Sequence, residues 1–313
     1  MKNNRILSLG TMYLDINCIN FPFEKGLSIH KETIGSQYEL ELGGSALNFA
    51  KIATSLGVTM SFLGKTGIDP IGNLLISLLQ QSSIKPIVIR DKTVQTNLAI
   101  HYVHKDGTSI MSSCGNANQS FTITEIEKQI ASLSSKIDYL YLGGVFKLKS
   151  ILYTIEKLLI KLKNQNVKII LDHGRVNNQV IKDDIEALQK LFPYIDIYLP
   201  SIDEFLAVWD SNSTTEGFSK LHRIAQPLTV IKQSKNGVIG YHKNEILSVD
   251  AYKVDPINTV GAGDSFNAGF IKAYIDGMNF KDCLRFGCAT AAIKISTLGD
   301  FKLSQIEKLL KKG

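Results

Sequence analysis

The chain has 313 residues, of which 44% are hydrophobic and 20% charged, with 24 Gly and 7 Pro. That is too apolar and too weakly charged for a disordered chain, excludes collagen-like or Pro-rich architecture, and is long enough to bury a core without disulfide or metal staples. The excess of 35 basic over 29 acidic residues, a net +6, is spread along the chain except for a tail cluster of Lys302, Lys308, Lys311 and Lys312; this is sparser than a nucleic-acid-binding stripe and suits an anionic small substrate or an ordinary solvated surface.

Met1 to Arg5 is basic and a short apolar run follows, but Asp15 interrupts it and no small-residue cleavage site follows cleanly. Arg5–Leu9 therefore reads as a buried strand ending at Gly10, not as a signal peptide. Leu47, Ala50, Ile52, Ala53 and Leu56 recur near the helical period and predict a helix over Ser45–Leu56. Thr59–Leu63 returns to strand, and Ile71–Leu79 is a helix entered through Asp69-Pro70. Tyr139–Leu142, Val167–Leu171 and Ile195–Leu199 read as strands separated by helices at Ser150–Leu162 and Ile181–Leu191. Thr229–Ile231 opens another strand, and two long helical patterns follow Gly263. This alternation predicts one α/β domain over 1–313, with a mostly parallel sheet covered by helices on both faces.

Ser28–Leu42 and Thr96–Met111 are strand-like without intervening helices, and Lys105-Asp106-Gly107 suits a hairpin turn. They predict a small β-sheet projecting from the body, contributed by about 11–42 and 96–117, in position to act as a lid, or else an extra edge of the main sheet. No stretch approaches the ~18 apolar residues of a membrane span. Cys18, Cys114, Cys283 and Cys288 form no Cys-x-x-Cys pair, and the six His show no ligand spacing. A reduced, cytoplasmic protein with no zinc site and no membrane or nucleic-acid partner is expected.

Asn258-Thr259-Val260-Gly261-Ala262-Gly263-Asp264-Ser265-Phe266 runs into an amphipathic helix. A Gly-rich turn at a helix start leaves backbone amides aimed outward with the positive dipole end behind them, an anion hole whose usual occupant is phosphate. Asp264 would repel a resting phosphate, but it makes sense as acceptor of the proton from a hydroxyl attacking that phosphate. It can also simply cap the helix. Gly43-Gly44 before the Ser45 helix permits close ligand approach, and Asn48, one turn in, can offer donor and acceptor to hydroxyls; the plain alternative is a turn capped by Ser45. Leu63-Gly64-Lys65-Thr66 looks like the tail of a P-loop, but Thr59 stands where that motif needs glycine; Gly10-Thr11-Met12 supplies no dinucleotide fingerprint.

These two segments resemble the signature regions of the ribokinase-like carbohydrate kinases, the phosphofructokinase B family. The resemblance extends through Gly10 with Asp15, Gly64 to Gly72, Gly107, Ala117-Asn118, Asp172 to Arg175, and Glu204. It implies a three-layer ribokinase-like fold with a β lid, and an ATP- and magnesium-dependent transfer of phosphate to a hydroxyl, preferably a primary alcohol, of a small sugar or sugar derivative. Asp264 matches the family's catalytic base, and Gly261, Ala262 and Gly263 its anion hole. Asp15, Gly43, Gly44, Asn48, Asn118, Asp172 and Arg175 match substrate-binding positions. Lys232, Ser234, Gly237 and Thr259 match the nucleotide region, and Glu204 the acidic residue that organises magnesium through water.

The sequence departs from the pattern at Asn258, where the usual Asp helps bind an activating monovalent cation, so that dependence is not implied. Ser201 and Ser234 replace an Asn and a Gly, and Cys288 sits near a position that often carries Asn against adenine. Pro200-Ser201 and Lys232 lean toward a fructose or keto-sugar-acid acceptor. A nucleoside would need a clamp from Tyr13, Phe21, Phe23, Tyr38 or Tyr102, and a phosphorylated acceptor would need Lys31, Arg90, Lys105 or Arg175. A non-catalytic sugar or nucleotide sensor is the rival from another class, and pairing of exposed lid strands into a homodimer is expected.

Overall fold

The computed structural model describes residues 4–21, 35, 37–104, 109–133, 136–243, 245–297, 299 and 301–311. The predicted turn at Lys105-Asp106-Gly107 and the candidates Phe23 and Lys31 lie outside them. The strands are β1 (Arg5–Gly10), β2 (Tyr13–Ile19), β3 (Gln37–Gly43), β4 (Thr59–Gly67), β5 (Lys85–Asp91), β6 (Leu98–Val103), β7 (Ser109–Cys114), β8 (Tyr139–Gly143), β9 (Lys168–Asp172), β10 (Ile197–Tyr198), β11 (Leu228–Lys232), β12 (Val238–His242) and β13 (Glu245–Val249). The helices are α1 (Ser45–Ser55), α2 (Pro70–Gln80), α3 (Ile123–Ala131), α4 (Lys149–Leu152), α5 (Glu156–Asn164), α6 (Lys182–Gln189), α7 (Ile202–Val208), α8 (Thr214–His222), α9 (Ala262–Ile275), α10 (Phe280–Ser296) and α11 (Leu303–Leu310).

Nine strands form the main sheet in the order β13-β12-β11-β10-β9-β8-β1-β4-β5. Pairing is parallel from β11 through to β5 and antiparallel at β11–β12 and β12–β13, so β12 alone runs against the other strands. Burial on both faces explains the near-continuous apolar runs of its strands. Along β8, Tyr139 and Tyr141 enter one core, with Phe49, Phe266 and Phe270, while Leu140 and Leu142 enter the other, with Phe192, Phe205 and Trp209. The order reverses at β1, which lies between β4 and β8; ligands of open parallel sheets bind outside the carboxyl ends of strands at such a point.

Four strands form the second sheet, β3-β2-β6-β7, so the segments without helices are not an edge of the main sheet. Its two faces differ. Residues directly opposite across strands share a face. Asp15 opposes Glu41 and Ala99, and Asn17 opposes Glu39 and His101, giving a polar face; Ile16 opposes Leu40 and Ile100, and Cys18 opposes Tyr38 and Tyr102, giving an apolar one. Polar side chains knit the roots of this sheet to the body. The Asn118 amide accepts from Met12 N at 3.1 Å and donates to Met12 O at 3.2 Å, and Asn118 N donates to Asn97 Oδ1 at 2.7 Å. Asp69 accepts from Gly72 N at 2.7 Å and Thr96 N at 2.8 Å, which ties the start of α2 to the entry of β6.

The structure corrects the sequence reading of Ser150–Leu162 as one helix. The chain tightens after Leu152, with Thr154 N bonded to Ile151 O at 2.9 Å, and the Tyr153 hydroxyl turns out to Asp184 Oδ1 at 2.5 Å, so α4 and α5 are separate. Lys65, in the P-loop look-alike, is 2% exposed and carries no phosphate-binding loop. Its ammonium bonds to Ser120 O at 2.9 Å and to Glu125 Oε1 at 2.9 Å, and pairs with Asp91 at 3.1 Å. Desolvating a lone ammonium would be very costly, and these three acceptors account for its burial.

Candidate active site

The N-termini of α1 and α9 converge at the open end of the sheet, where Ser45 and Asn48 of one meet Asp264 of the other. Both helices begin at a glycine with no side chain to cap them: Gly44 at φ 101° before α1 and Gly261 at φ 76° before α9. A Cβ on Gly44 would stand 2.4 Å from Thr11 O, so only glycine fits between the first strand's exit and the helix. The first-turn amides of α9 thus have no side-chain cap.

Asp264 occupies the third position of α9. Its Oδ1 accepts from Ser45 Oγ at 3.0 Å and its Oδ2 from Asn48 Nδ2 at 3.1 Å. Burial first, and then the negative charge of Asp172, push its carboxyl up to about 7, against the opposing pull of the Asn48 amide, the Lys232 ammonium and the Ser45 hydroxyl. A carboxyl so raised in proton affinity is suited to general-base chemistry near neutral pH. Ser45 is therefore not only a helix-start residue. Sequence reasoning missed its bond to Asp264, because nothing local signals a partner 219 residues away. Asn48 spends one amide hydrogen on Asp264 and keeps its Oδ1 and second hydrogen for a ligand.

Behind the start of α9 lies a buried polar cluster. Asp172, at the end of β9 and 5% exposed, pairs with Lys232 of β11 at 3.2 Å and accepts from Asn267 Nδ2 at 2.5 Å and from Gly174 N at 3.0 Å. Lys232 also donates to Asn267 Oδ1 at 3.2 Å, and its Nζ lies 3.6 Å from where a Cβ on Gly263 would stand. Residues that the resemblance divides between acceptor and nucleotide are thus neighbours. Asn267 and Tyr141, whose hydroxyl accepts from Asn267 Nδ2 at 3.1 Å, were not singled out from sequence. The legible signal was an Asn three residues after Asp264, within the apolar run Phe266 to Ile271.

The other candidates lie around this centre. Asp15, 8% exposed on the polar face of the small sheet, crosses the bare Cα of Gly43, where a Cβ would stand 1.9 Å from its Oδ2; His101 Nε2 lies 3.5 Å from the same oxygen. Asn118 is 1% exposed, with both ends of its amide engaged by Met12. Arg175 is exposed on the loop after β9. Ser234, where the family has glycine, takes the positive φ of 55° that glycine adopts freely, and Gly237 has φ 83°. Thr259 and Asn258 lie on the exposed loop before α9, and the Asn258 Oδ1 accepts from Val260 N at 2.9 Å. Glu204 closes a capping box with Ser201, its Oε2 accepting from Ser201 N at 2.8 Å, and Ser201 bridges Lys232, so α7 starts beside the nucleotide region.

No group of three or more His, Cys, Asp or Glu able to hold a metal occurs among the described residues, and no helix there is long and apolar enough to cross a membrane. Glu204 fits a magnesium ion carried in by phosphates and met through water, with one carboxylate oxygen still available.

The ribokinase of Haemophilus influenzae is 27% identical over 274 residues, covering 85% of this chain and 84% of that protein. The 2-dehydro-3-deoxygluconokinase of the same organism is 24% identical over 277 residues, covering 82% and 87%. An Escherichia coli protein assigned as a ribokinase II and solved in complex with ATP and Mg2+ superposes with a TM-score of 0.82 at 18% identity, covering 99% of this chain and 100% of that one, a likeness of fold. The family model described as pfkB family carbohydrate kinase matches residues 5–305. With its sheet order, its glycine-capped helix pair and this match, the chain belongs to the pfkB family of carbohydrate kinases.

Proposed function

We propose that this kinase transfers the γ-phosphoryl group of MgATP to a primary hydroxyl of a small sugar derivative, a keto-sugar acid in preference to a nucleoside. The observation that carries the reading is Asp264, held by Ser45 and Asn48 at the meeting point of two uncapped helix N-termini. Asp15, Gly43, Gly44 and the free end of Asn48 orient the acceptor. Lys232, Ser234, Gly237 and Thr259 border the nucleotide, and Glu204 meets its magnesium through water. Asp264 takes the hydroxyl proton as the acceptor oxygen bonds to the γ-phosphorus and the bond to the β-phosphate oxygen breaks. ADP leaves, and the proton remains on Asp264 until it passes to solvent. The amides at Gly261, Ala262 and Gly263, with the ion that the nucleotide brings, hold the charge on the group in flight. Closure of the small sheet would keep water from competing as acceptor.

His101 beside Asp15 supports an acid acceptor, because the lid then offers both a hydroxyl acceptor and a donor for a carboxylate or carbonyl. Tyr38 and Tyr102 share the opposite face of the small sheet and Phe21 is buried, so of the clamp candidates among the described residues only Tyr13 shares the face of Asp15, and a nucleobase would have one ring rather than a clamp. A coupled ADP-release assay across pentoses, hexoses, keto-sugar acids, sugar phosphates and nucleosides tests the reading. Acceptor-dependent turnover with a keto-sugar acid or fructose is expected. Turnover with nucleosides alone, or binding without ADP release, would overturn it.

The same reading extends to a homodimer paired through the apolar lid faces, where Tyr38 is 69%, Leu40 39% and Ile110 40% exposed. Sedimentation velocity is expected to give a species of twice the 34.6 kDa chain mass, and a monomer throughout would remove the dimer.

A further inference from the structure

We propose that Asp172, Asn267 and Tyr141 act as positioning residues, holding Lys232 beside the anion hole at the start of the helix that carries Asp264, without any of the three touching the acceptor. This rests on Asp264 as the base. The resemblance gives Asp172 to substrate binding, but its carboxylate is already enclosed by Lys232, Asn267 and the Gly174 amide.

A chain of hydrogen bonds ends on that carboxylate: the Tyr141 hydroxyl accepts from Asn267 Nδ2 at 3.1 Å, and the same Nδ2 donates to Asp172 at 2.5 Å, while on the other side Asp264 accepts from Ser45 at 3.0 Å. Tyr141 is fully buried and stacks on Phe49 at 3.7 Å with an interplanar angle of 1°, so its hydroxyl has little freedom. Asn267 is also fully buried, and its single amide grips both members of the Asp172–Lys232 pair. Lys232 thereby stays beside Gly263, where an incoming phosphoryl group would meet a positive charge already in place.

The charged and titratable groups around Asp264 are few. Asp172 faces it from β9, Lys232 from β11 and the neutral Tyr141 from β8, while α1 contributes the uncharged Ser45 and Asn48. On α10, Lys294 Cε lies 3.9 Å from the Cβ position of Gly261. Burial and the Asp172 charge raise the proton affinity of Asp264, and Lys232 lowers it. Removing either member of the pair must therefore move the base in opposite directions.

The pH dependence of kcat/KM tests this in the full-length enzyme. Asp172→Asn is expected to move the acid limb down by about one pH unit, and Lys232→Met to move it up by a similar amount. Tyr141→Phe keeps the stack on Phe49 and removes the hydroxyl to which Asn267 donates. It is expected to lower kcat about tenfold with both KM values within about twofold, and it remains informative if Asp172→Asn does not fold. Acid limbs unmoved or moved the same way in folded charge variants, or an unchanged kcat in Tyr141→Phe, would overturn the proposal. A wild-type profile with no acid limb would instead remove Asp264 as base, so the two failures are separable.

Discussion

Asp264→Asn is expected to lower kcat by roughly 10²–10⁴-fold while changing nucleotide affinity little, because the variant keeps the shape of the anion hole and loses only the proton acceptor. The wild-type enzyme should lose kcat/KM as pH falls below about 7, the value to which burial and Asp172 push the Asp264 carboxyl. The same substitution should stabilise the fold at alkaline pH. In the unfolded chain this carboxyl ionises near 3.8, and in the native protein near 7. The native state therefore holds a proton that the unfolded state has released, and its stability declines as pH rises between those values. Above pH 7 the cost is complete, on the order of 2–4 kcal/mol. The Asn side chain can accept from only one of Ser45 and Asn48, which returns about 1 kcal/mol. A net gain of ~1–3 kcal/mol at pH 8, shrinking toward pH 5, is the expected result of denaturant melts. Near-normal turnover would show that Asp264 is not the base. A stability loss at pH 8 would show that its charge is not under strain.

What the sequence disclosed, and what it withheld, follows the range of the interactions. Strands buried on both faces announce themselves as apolar runs, and glycines at helix starts announce a backbone that needs positive φ; both are local. The central strands, α1, α2, α9 and α10 were therefore legible, as were Asp264 and the glycines around it. β12 and β13 are short and partly exposed, α7 and α8 are only seven and nine residues long, and all four escaped. At the site, the hidden contacts are the long-range ones. Asn48 reads as a ligand for hydroxyls because an Asn one turn inside a helix has no local use; its bond to Asp264 spans 216 residues. The family resemblance assigns Asp172 and Lys232 to two separate subsites; they end different strands, and only the parallel order β9-β10-β11 brings those strand ends close enough to pair.

Gly263→Ala separates stability from activity in the opposite way to most glycine substitutions. Gly263 is the second residue of α9 and has no positive φ, so alanine there costs no backbone strain and gains up to ~1 kcal/mol of helix propensity. The added methyl would lie 3.6 Å from Lys232 Nζ, an ordinary contact distance, so the protein free of ligands accommodates it. The space it fills lies between the amide end of the helix and the ammonium, where oxygens of the transferred phosphoryl group must come within ~3 Å of their donors. Thermal melts should give an unchanged or higher Tm, while kcat falls by about 10²–10³-fold, the usual loss when one donor to a developing oxyanion is displaced. Gly261→Ala is the control, since its φ of 76° makes alanine strained and its Tm should fall. If Gly263→Ala retained turnover within about threefold, the phosphoryl group could not pass over this helix end, and the site of transfer would have to lie elsewhere along the sheet.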